Sequence, residues 1–346
     1  MTVLFVAGLV LASSLSACSQ SPSGGTDRSS TATGQKPEVE ITLVSFAVTK
    51  AAHEAIIPKF VAKWQQEKGQ TVRFQQSYGG SGSQTRAVID GLKADVVHLA
   101  LGLDVSKIEQ EGLIQPNWET EAPNNAIVSK SVVALVTREG NPKGIKDWSD
   151  LAKPGVSWVT ADPKTSGVAR WNFLALWNGA IKTGADEKKA QEFVTQAYKN
   201  VPILTRDARE ATDVFFKQGQ GDALINYENE VLLAEKQGTQ VTYTIPSVNI
   251  SIDNPIAVVD SVVDQKGTRE VAEAFVQYLF SPEAQAEFAK AGFRPVNDAI
   301  ANAADNTAKY PKVNSLSTVK DFGGWASIQK KFFSDGAVFD QIQAQK

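Results

Sequence analysis

Cysteine, histidine and methionine are nearly missing from this chain of 346 residues, which has one cysteine, two histidines and one methionine. That excludes a disulfide framework and leaves too few soft ligands for a structural zinc site. A basic excess is missing too: 35 lysines and arginines face 38 aspartates and glutamates, for a net charge of −3. A nucleic-acid surface would need the opposite balance. A small anionic ligand remains open, because backbone dipoles bind anions without net cationic charge. No apolar run after residue 20 is long enough to span a bilayer. The glycine-rich stretch Gly79-Gly80-Ser81-Gly82-Ser83 is not a P-loop, since no Lys-Ser/Thr pair follows it at the required spacing. Nor is it a nucleophile elbow, since Ser83 stands where that motif needs glycine. No paired carboxylates, metal-ligand spacing or activated nucleophile stand out, which counts against an enzyme.

What is present suits a globular body. The chain is 42% hydrophobic and 21% charged, enough for a sizeable core and for two lobes. Residues 1–17 read as a signal peptide, apolar and ending in small residues. Leu15-Ser16-Ala17-Cys18 resembles a bacterial lipobox, which makes Cys18 the expected lipid-attachment site and new N-terminus. Residues 18–38 are rich in Ser, Gly, Thr, Gln and Pro, and read as a flexible tether. Folded sequence is expected from Val39.

From there strands alternate with helices. The strand Val39–Phe46 passes into a helix running from Ala47 to Lys68, closed by Gly69. A second strand, Thr71–Ser77, leads through the glycine-rich turn to a helix over 86–93. A third, near-continuous apolar strand covers 94–101, as a parallel sheet covered on both faces would require. Segments 126–137 and 249–262 are strand-like and read as crossings between two lobes. Strands at 156–160, 201–204 and 221–226, with helices at 186–199 and 209–218, build the second lobe. The predicted division is 39–121 plus 252–310 for lobe I and 122–251 plus 311–346 for lobe II. The end of the chain, 321–343, reads as an amphipathic helix or pair packed along the body.

One junction points to chemistry. The strand 156–160 runs into Lys164-Thr165-Ser166-Gly167-Val168-Ala169-Arg170-Trp171-Asn172 and then a helix. The first amides of a helix lack internal partners and carry partial positive charge, which is an anion-binding geometry. Ala47, Ser81, Ser166 and Ala208 all sit where a strand hands over to a helix. Ligands of open α/β sheets bind at that end of the strands.

Gly79-Gly80-Ser81-Gly82, the 164–172 stretch, Tyr227-Glu228-Asn229-Glu230 and Phe322-Gly323-Gly324-Trp325-Ala326 together resemble the bacterial sulfate-binding protein family, over Val39 to Ile342. The resemblance implies an α/β, type II periplasmic-binding fold: two lobes, a ligand cleft between them and two crossover strands. It also implies an extracytoplasmic, monomeric receptor that captures sulfate without turnover and delivers it to the permease of an ABC importer, with no cofactor. Lipidation at Cys18 would hold that receptor at the outer face of the membrane. The alternatives are thiosulfate or another tetrahedral oxyanion (molybdate, phosphate) as ligand, or an enzyme acting on a small oxyanion ester.

The family's site uses hydrogen-bond donors only. Carried over by position, these are the amide of Ala47, the hydroxyl of Ser81, the amides of Ser166, Gly167 and Val168, the amide of Ala208, and the side chain of Tyr227. Three positions depart from the family's usual residues: Ala47 replaces an aspartate, Val168 a glycine and Tyr227 a tryptophan. Two further expectations concern histidines: His98 belongs in the core and His53 on a solvent-facing helix side. Asp207 and Glu210 read as an N-cap and its partner. Asp104, Glu228 and Glu230 are hinge or latch candidates.

Overall fold

A computed structural model describes residues 37–345. The expectations on the signal peptide and Cys18 fall outside the described residues, as does the tether up to residue 36. The strands, in chain order, are β1 (Val39–Phe46), β2 (Val72–Gly79), β3 (Val96–His98), β4 (Ile127–Ser131), β5 (Val133–Thr137), β6 (Trp158–Ala161), β7 (Leu204–Thr205), β8 (Ala223–Tyr227), β9 (Thr242–Thr244), β10 (Val248–Ile250), β11 (Ile252–Val258) and β12 (Ser315–Ser317). They form two five-stranded sheets, ordered β2-β1-β3-β11-β4 and β7-β6-β8-β5-β9, and a small β10-β12 pair. This is the two-lobe α/β periplasmic-binding-protein fold.

Each sheet is parallel at its heart and antiparallel where a crossing strand joins it. β1 pairs parallel with β2 and β3, and β6 with β7 and β8. β11 runs antiparallel to β3 and β4, and β5 antiparallel to β8 and β9. The crossings lie where the apolar runs suggested. β4 and β5 are one extended segment broken at Val132, and its halves belong to different sheets. β4 pairs with β11, so the chain leaves the first sheet near Val132, ten residues after the boundary at 122 read from sequence. The hydrophobic run had no feature that said which sheet would take each half.

Helices set the working end of each sheet. They are α1 (Lys50–Lys68), α2 (Ser81–Ile89), α3 (Gly102–Gln110), α4 (Gly167–Lys182), α5 (Glu187–Lys199), α6 (Ala208–Phe216) and α7 (Glu228–Lys236). Gly69 closes α1 at φ 63°, a left-handed conformation that glycine adopts without a Cβ penalty. α2 begins at Ser81 and ends at Ile89, not over 86–93, because the glycine-rich stretch is itself the strand end and the first helical turn. α7 follows β8 directly, and residues 260–262, expected as the end of a strand, instead open a helix over Asp260–Lys266. α4 is buried around most of its circumference from Gly167 to Ala180. Phe332, Phe333 and Phe339 of the C-terminal segment pack edge-on against Phe173.

His98 is in the core, as expected, but His53 is fully buried and does not face solvent. Helical spacing in fact sets His53 three, four and seven residues before Ile56, Ile57 and Phe60, on the apolar face of α1, and the structure folds that face onto β3. His53 Nε2 lies 3.1 Å from His98 Nδ1, and His53 Nδ1 lies 3.1 Å from Tyr78 Oη. Burial lowers the pKa of His53 from 6.5 to about 3, and burial with its neighbour lowers that of His98 well below 6.5. The unfolded chain then binds more protons than the folded one below pH 6.5. Stability is fully present above pH 6.5 and is lost as pH falls toward 3. Between pH 7.5 and 5, His53 contributes a loss of about 2 kcal/mol. Urea unfolding at both pH values checks this: His53→Gln should flatten the slope relative to the unsubstituted protein, and parallel slopes would contradict it.

Candidate anion-binding site

All seven residues singled out from sequence line one small cavity. Ala47, Ser81, Ser166, Gly167, Val168, Ala208 and Tyr227 share it with Phe46, Val48, Gly79, Gly80, Ala100 and Asp207. Its volume is ≈ 10 Å³, counted as the space open to the centre of a water-sized sphere, so the walls nearly touch. Pockets that enclose drug-sized organic ligands are larger, about 300–1,000 Å³. The lining contains no lysine or arginine.

The cavity lies where strand ends from both sheets meet. Phe46 ends β1, and Ala47 opens the short helical turn 47–49 that leads into α1. Gly79 ends β2, Gly80 is the extended N-cap, and Ser81 is the first residue of α2. From the second sheet come Ser166 as N-cap of α4, Gly167 and Val168 as its first residues, and Ala208 as the first residue of α6. Tyr227 ends β8 and is the N-cap of α7. Several helix starts therefore present unpartnered amides and positive dipole ends to one point.

Two serines exchange the roles read from sequence. The Ser81 hydroxyl donates to Asp104 Oδ2 at 2.7 Å and accepts the Ala100 amide at 3.0 Å. It is committed to the protein, and what Ser81 offers the cavity is its first-turn amide. The Ser166 amide is itself committed, donating to Asp162 O at 2.8 Å, while its side chain makes no capping bond. Ser166 thus offers a hydroxyl, and Gly167 and Val168 offer amides. Sequence spacing placed both residues at helix starts but did not show these bonds: Asp104 reaches Ser81 from 23 residues away, and the Asp162 carbonyl takes the Ser166 amide in the turn before α4.

Tyr227 is 1% exposed and its Oη has no hydrogen-bond partner. Its ring meets Phe46 edge-on, with centroids 6.2 Å apart. Burial, and the charges of Asp104 and Glu230, push its pKa well above 10. The phenol therefore keeps its proton. Val168 is 2% exposed and sits in the first turn of α4, with its side chain in the core and its amide at the helix start.

Asp207 is the charged residue of the lining, and the other charged groups stand behind it. Asp207 caps α6, accepting the Glu210 amide on Oδ1 at 3.0 Å, and its Oδ2 lies 3.4 Å from Arg206. Glu210 reaches back to the Arg206 amide at 2.8 Å, so the capping reading holds with the return bond one residue earlier. Asp104 is fully buried and its Oδ1 lies 3.7 Å from Arg170 Nη1, a pair that joins α3 to α4. Arg170 is 5% exposed, and burial lowers its pKa from the ordinary value. Glu230 lies 2.9 Å from Arg209 and accepts from Thr212 at 3.1 Å. Glu228 is held by both Nε and Nη2 of Arg294, at 2.7 and 2.8 Å.

The two sides approach very closely around the cavity. A β-carbon on Gly80 would stand 2.6 Å from Thr165 O and 2.9 Å from Arg206 O. One on Gly167 would stand 2.5 Å from the β-carbon of Ala100. Arg86 Nη1 donates across to Lys164 O at 3.1 Å, and Trp171 Nε1 to Ala100 O at 2.9 Å. These close approaches were not legible in sequence, where Gly80 reads only as part of a turn.

Known proteins match this arrangement. The model of the bacterial extracellular solute-binding protein family matches residues 41–294. The chain is 61% identical over 322 residues to the sulfate-binding protein of Synechococcus elongatus, covering 92% of this chain and 91% of that one. It is 52% identical over 338 residues to the sulfate-binding protein of Synechocystis sp., covering 97% and 95%. Among solved structures, the sulfate-binding protein SubI from Mycobacterium tuberculosis H37Rv superposes with a TM-score of 0.78 at 37% identity, covering 86% of this chain and 100% of that one.

Proposed function

The chain belongs to the bacterial extracellular solute-binding protein family, and from that premise we propose that it is the sulfate receptor of an ABC importer. The observation that carries this reading is the cavity itself: small, entered by helix starts from both sheets and lined without a lysine or arginine. Fully ionised sulfate needs donors and no acceptor. The proposed donors are the amides of Ala47, Ser81, Gly167, Val168 and Ala208 with the hydroxyls of Ser166 and Tyr227. The relatives named for sulfate support the choice of anion.

The cycle is capture, delivery and release, with no covalent step. The two lobes close over sulfate, and that form docks on the importer's permease subunits as a monomer. The Leu15-Ser16-Ala17-Cys18 sequence supports a lipid anchor on Cys18, which would keep the receptor at the outer face of the cytoplasmic membrane. The proposed lobes are the two sheets with their helices, the crossings falling near Val132 and Ser251.

Thermal unfolding tests the reading. A ligand that binds only the folded state stabilises it by about 2.7 kcal/mol at a hundredfold excess over Kd. Sulfate should therefore raise the midpoint by several degrees, while the same concentration of chloride should not. An unchanged midpoint with sulfate would sink the assignment.

A further inference from the structure

The segment Phe322-Gly323-Gly324-Trp325 takes no part in the cavity, yet the fold around it is specialised. Thr318 and Asp321 form a capping box that fixes the turn before it: Asp321 Oδ2 accepts from the Thr318 amide and hydroxyl at 2.6 and 3.1 Å. Gly323 and Gly324 follow at φ 79° and 87°, two successive left-handed residues that other side chains adopt only with strain. They turn the chain and bring Trp325 inward.

Trp325 then lies between the two sides of the molecule. Its ring meets Trp171 of α4 edge-on, with centroids 4.9 Å apart. A β-carbon on Gly102, the first residue of α3, would stand 3.2 Å from Trp325 Nε1 and 3.3 Å from its Cδ1. Gly102 is not among the glycines of positive φ, so close approach by this indole is what it accommodates. The segment carrying Trp325 is anchored on the second side: Phe332 meets Trp177 edge-on at 4.9 Å, and Phe339 meets Tyr198 at 5.8 Å. α3 follows β3 of the first sheet.

The contact leads straight to the cavity wall. Trp171, against which Trp325 packs, donates to Ala100 O at 2.9 Å. Ala100 lines the cavity and gives its amide to Ser81 Oγ at 3.0 Å. Three glycines and a capping box thus place one indole over the junction of α3 and α4, beside the cavity but outside it.

We propose that Trp325 is a positioning residue that latches the second lobe onto the first and so prolongs the bound state without touching the anion. This rests on the cavity being the sulfate site. The latch acts after capture, when Trp325 seats against Gly102 and Trp171, so its removal should speed release more than it slows association.

Stopped-flow and equilibrium titrations with sulfate on the full folded body test this, using Trp325→Ala, Trp325→Phe and Gly102→Val. Trp325→Ala and Gly102→Val should each raise koff and Kd by tenfold or more, with kon changed less than threefold. Trp325→Phe should recover most of the loss, since an aromatic ring still seats on Trp171. The ligand-free thermal midpoint of each variant should stay within a few degrees of the unsubstituted protein. Equal koff in Trp325→Ala and the unsubstituted protein would overturn the latch, as would a fall in ligand-free stability that accounts for the whole effect. Failure of the unsubstituted protein to bind sulfate would overturn the site assignment instead, so the two outcomes are distinct.

Discussion

Replacing Gly80 with alanine should weaken sulfate binding ten- to hundredfold while leaving the ligand-free protein folded. Gly80 has φ −62° and ψ 133°, a conformation alanine adopts freely, so no backbone strain is involved. The obstacle is space. The new methyl group would lie 2.6 Å from Thr165 O and 2.9 Å from Arg206 O, both backbone atoms from the other side of the cavity. Those atoms cannot easily retreat, because the Thr165 hydroxyl donates to Arg206 O at 2.8 Å and ties the two loops together. Overpacking of this kind costs about 1–3 kcal/mol, and here it is charged to the arrangement in which both sides touch. Gly167→Ala should behave alike, since its methyl would lie 2.5 Å from that of Ala100. Calorimetric titration with sulfate, beside ligand-free thermal unfolding, separates loss of closure from loss of fold. Unchanged affinity in Gly80→Ala would remove the close approach from the account.

The second large effect is discrimination between sulfate and hydrogen phosphate. Near neutral pH sulfate carries no proton, whereas hydrogen phosphate carries one and needs an acceptor. The backbone donors of the cavity cannot accept. Asp207 lines it, but one carboxylate oxygen holds the Glu210 amide and the other faces Arg206. Asp104 holds the Ser81 hydroxyl. The hydroxyls of Ser166 and Tyr227 have lone pairs, but a hydroxyl that turns to accept must send its own proton elsewhere. Tyr227 Oη is buried without another partner, so that proton would be stranded. A stranded buried donor costs about 1–3 kcal/mol, and more beside charge, so phosphate should bind about ten- to hundredfold more weakly. Burial and the nearby carboxylates hold the Tyr227 proton in place, as the proposed donor role requires.

How much of this was legible in sequence depended on whether the feature was local. The strand-to-helix junctions at Ala47, Ser81, Ser166 and Ala208 are local, made by small residues after an apolar run, and the fold places all four around one cavity. The crossing segments were legible as apolar runs. Their exact division was not, because hydrophobicity does not say which sheet a strand will pair with, and β4 joined the first. Hydrogen-bond roles depended on partners distant in sequence. Ser81 is 23 residues from Asp104, and that bond alone turned its hydroxyl away from the cavity. His53 is the opposite case: Ile56, Ile57 and Phe60 follow it at helical spacing, so its burial against β3 and Phe288 was legible and the solvent-facing expectation missed it. Gly80 and Gly102 owe their roles to loops and an indole that approach them from elsewhere in the chain.

The most direct test of the donor-only cavity is a pair of calorimetric titrations at pH 7.5 on the sulfate-free protein, one with sulfate and one with phosphate. One sulfate per chain should bind, with phosphate about ten- to hundredfold weaker and displacing little sulfate at equal concentration. Phosphate binding as tightly as sulfate would contradict the account, because a cavity that satisfies a protonated oxyanion must hold a free acceptor.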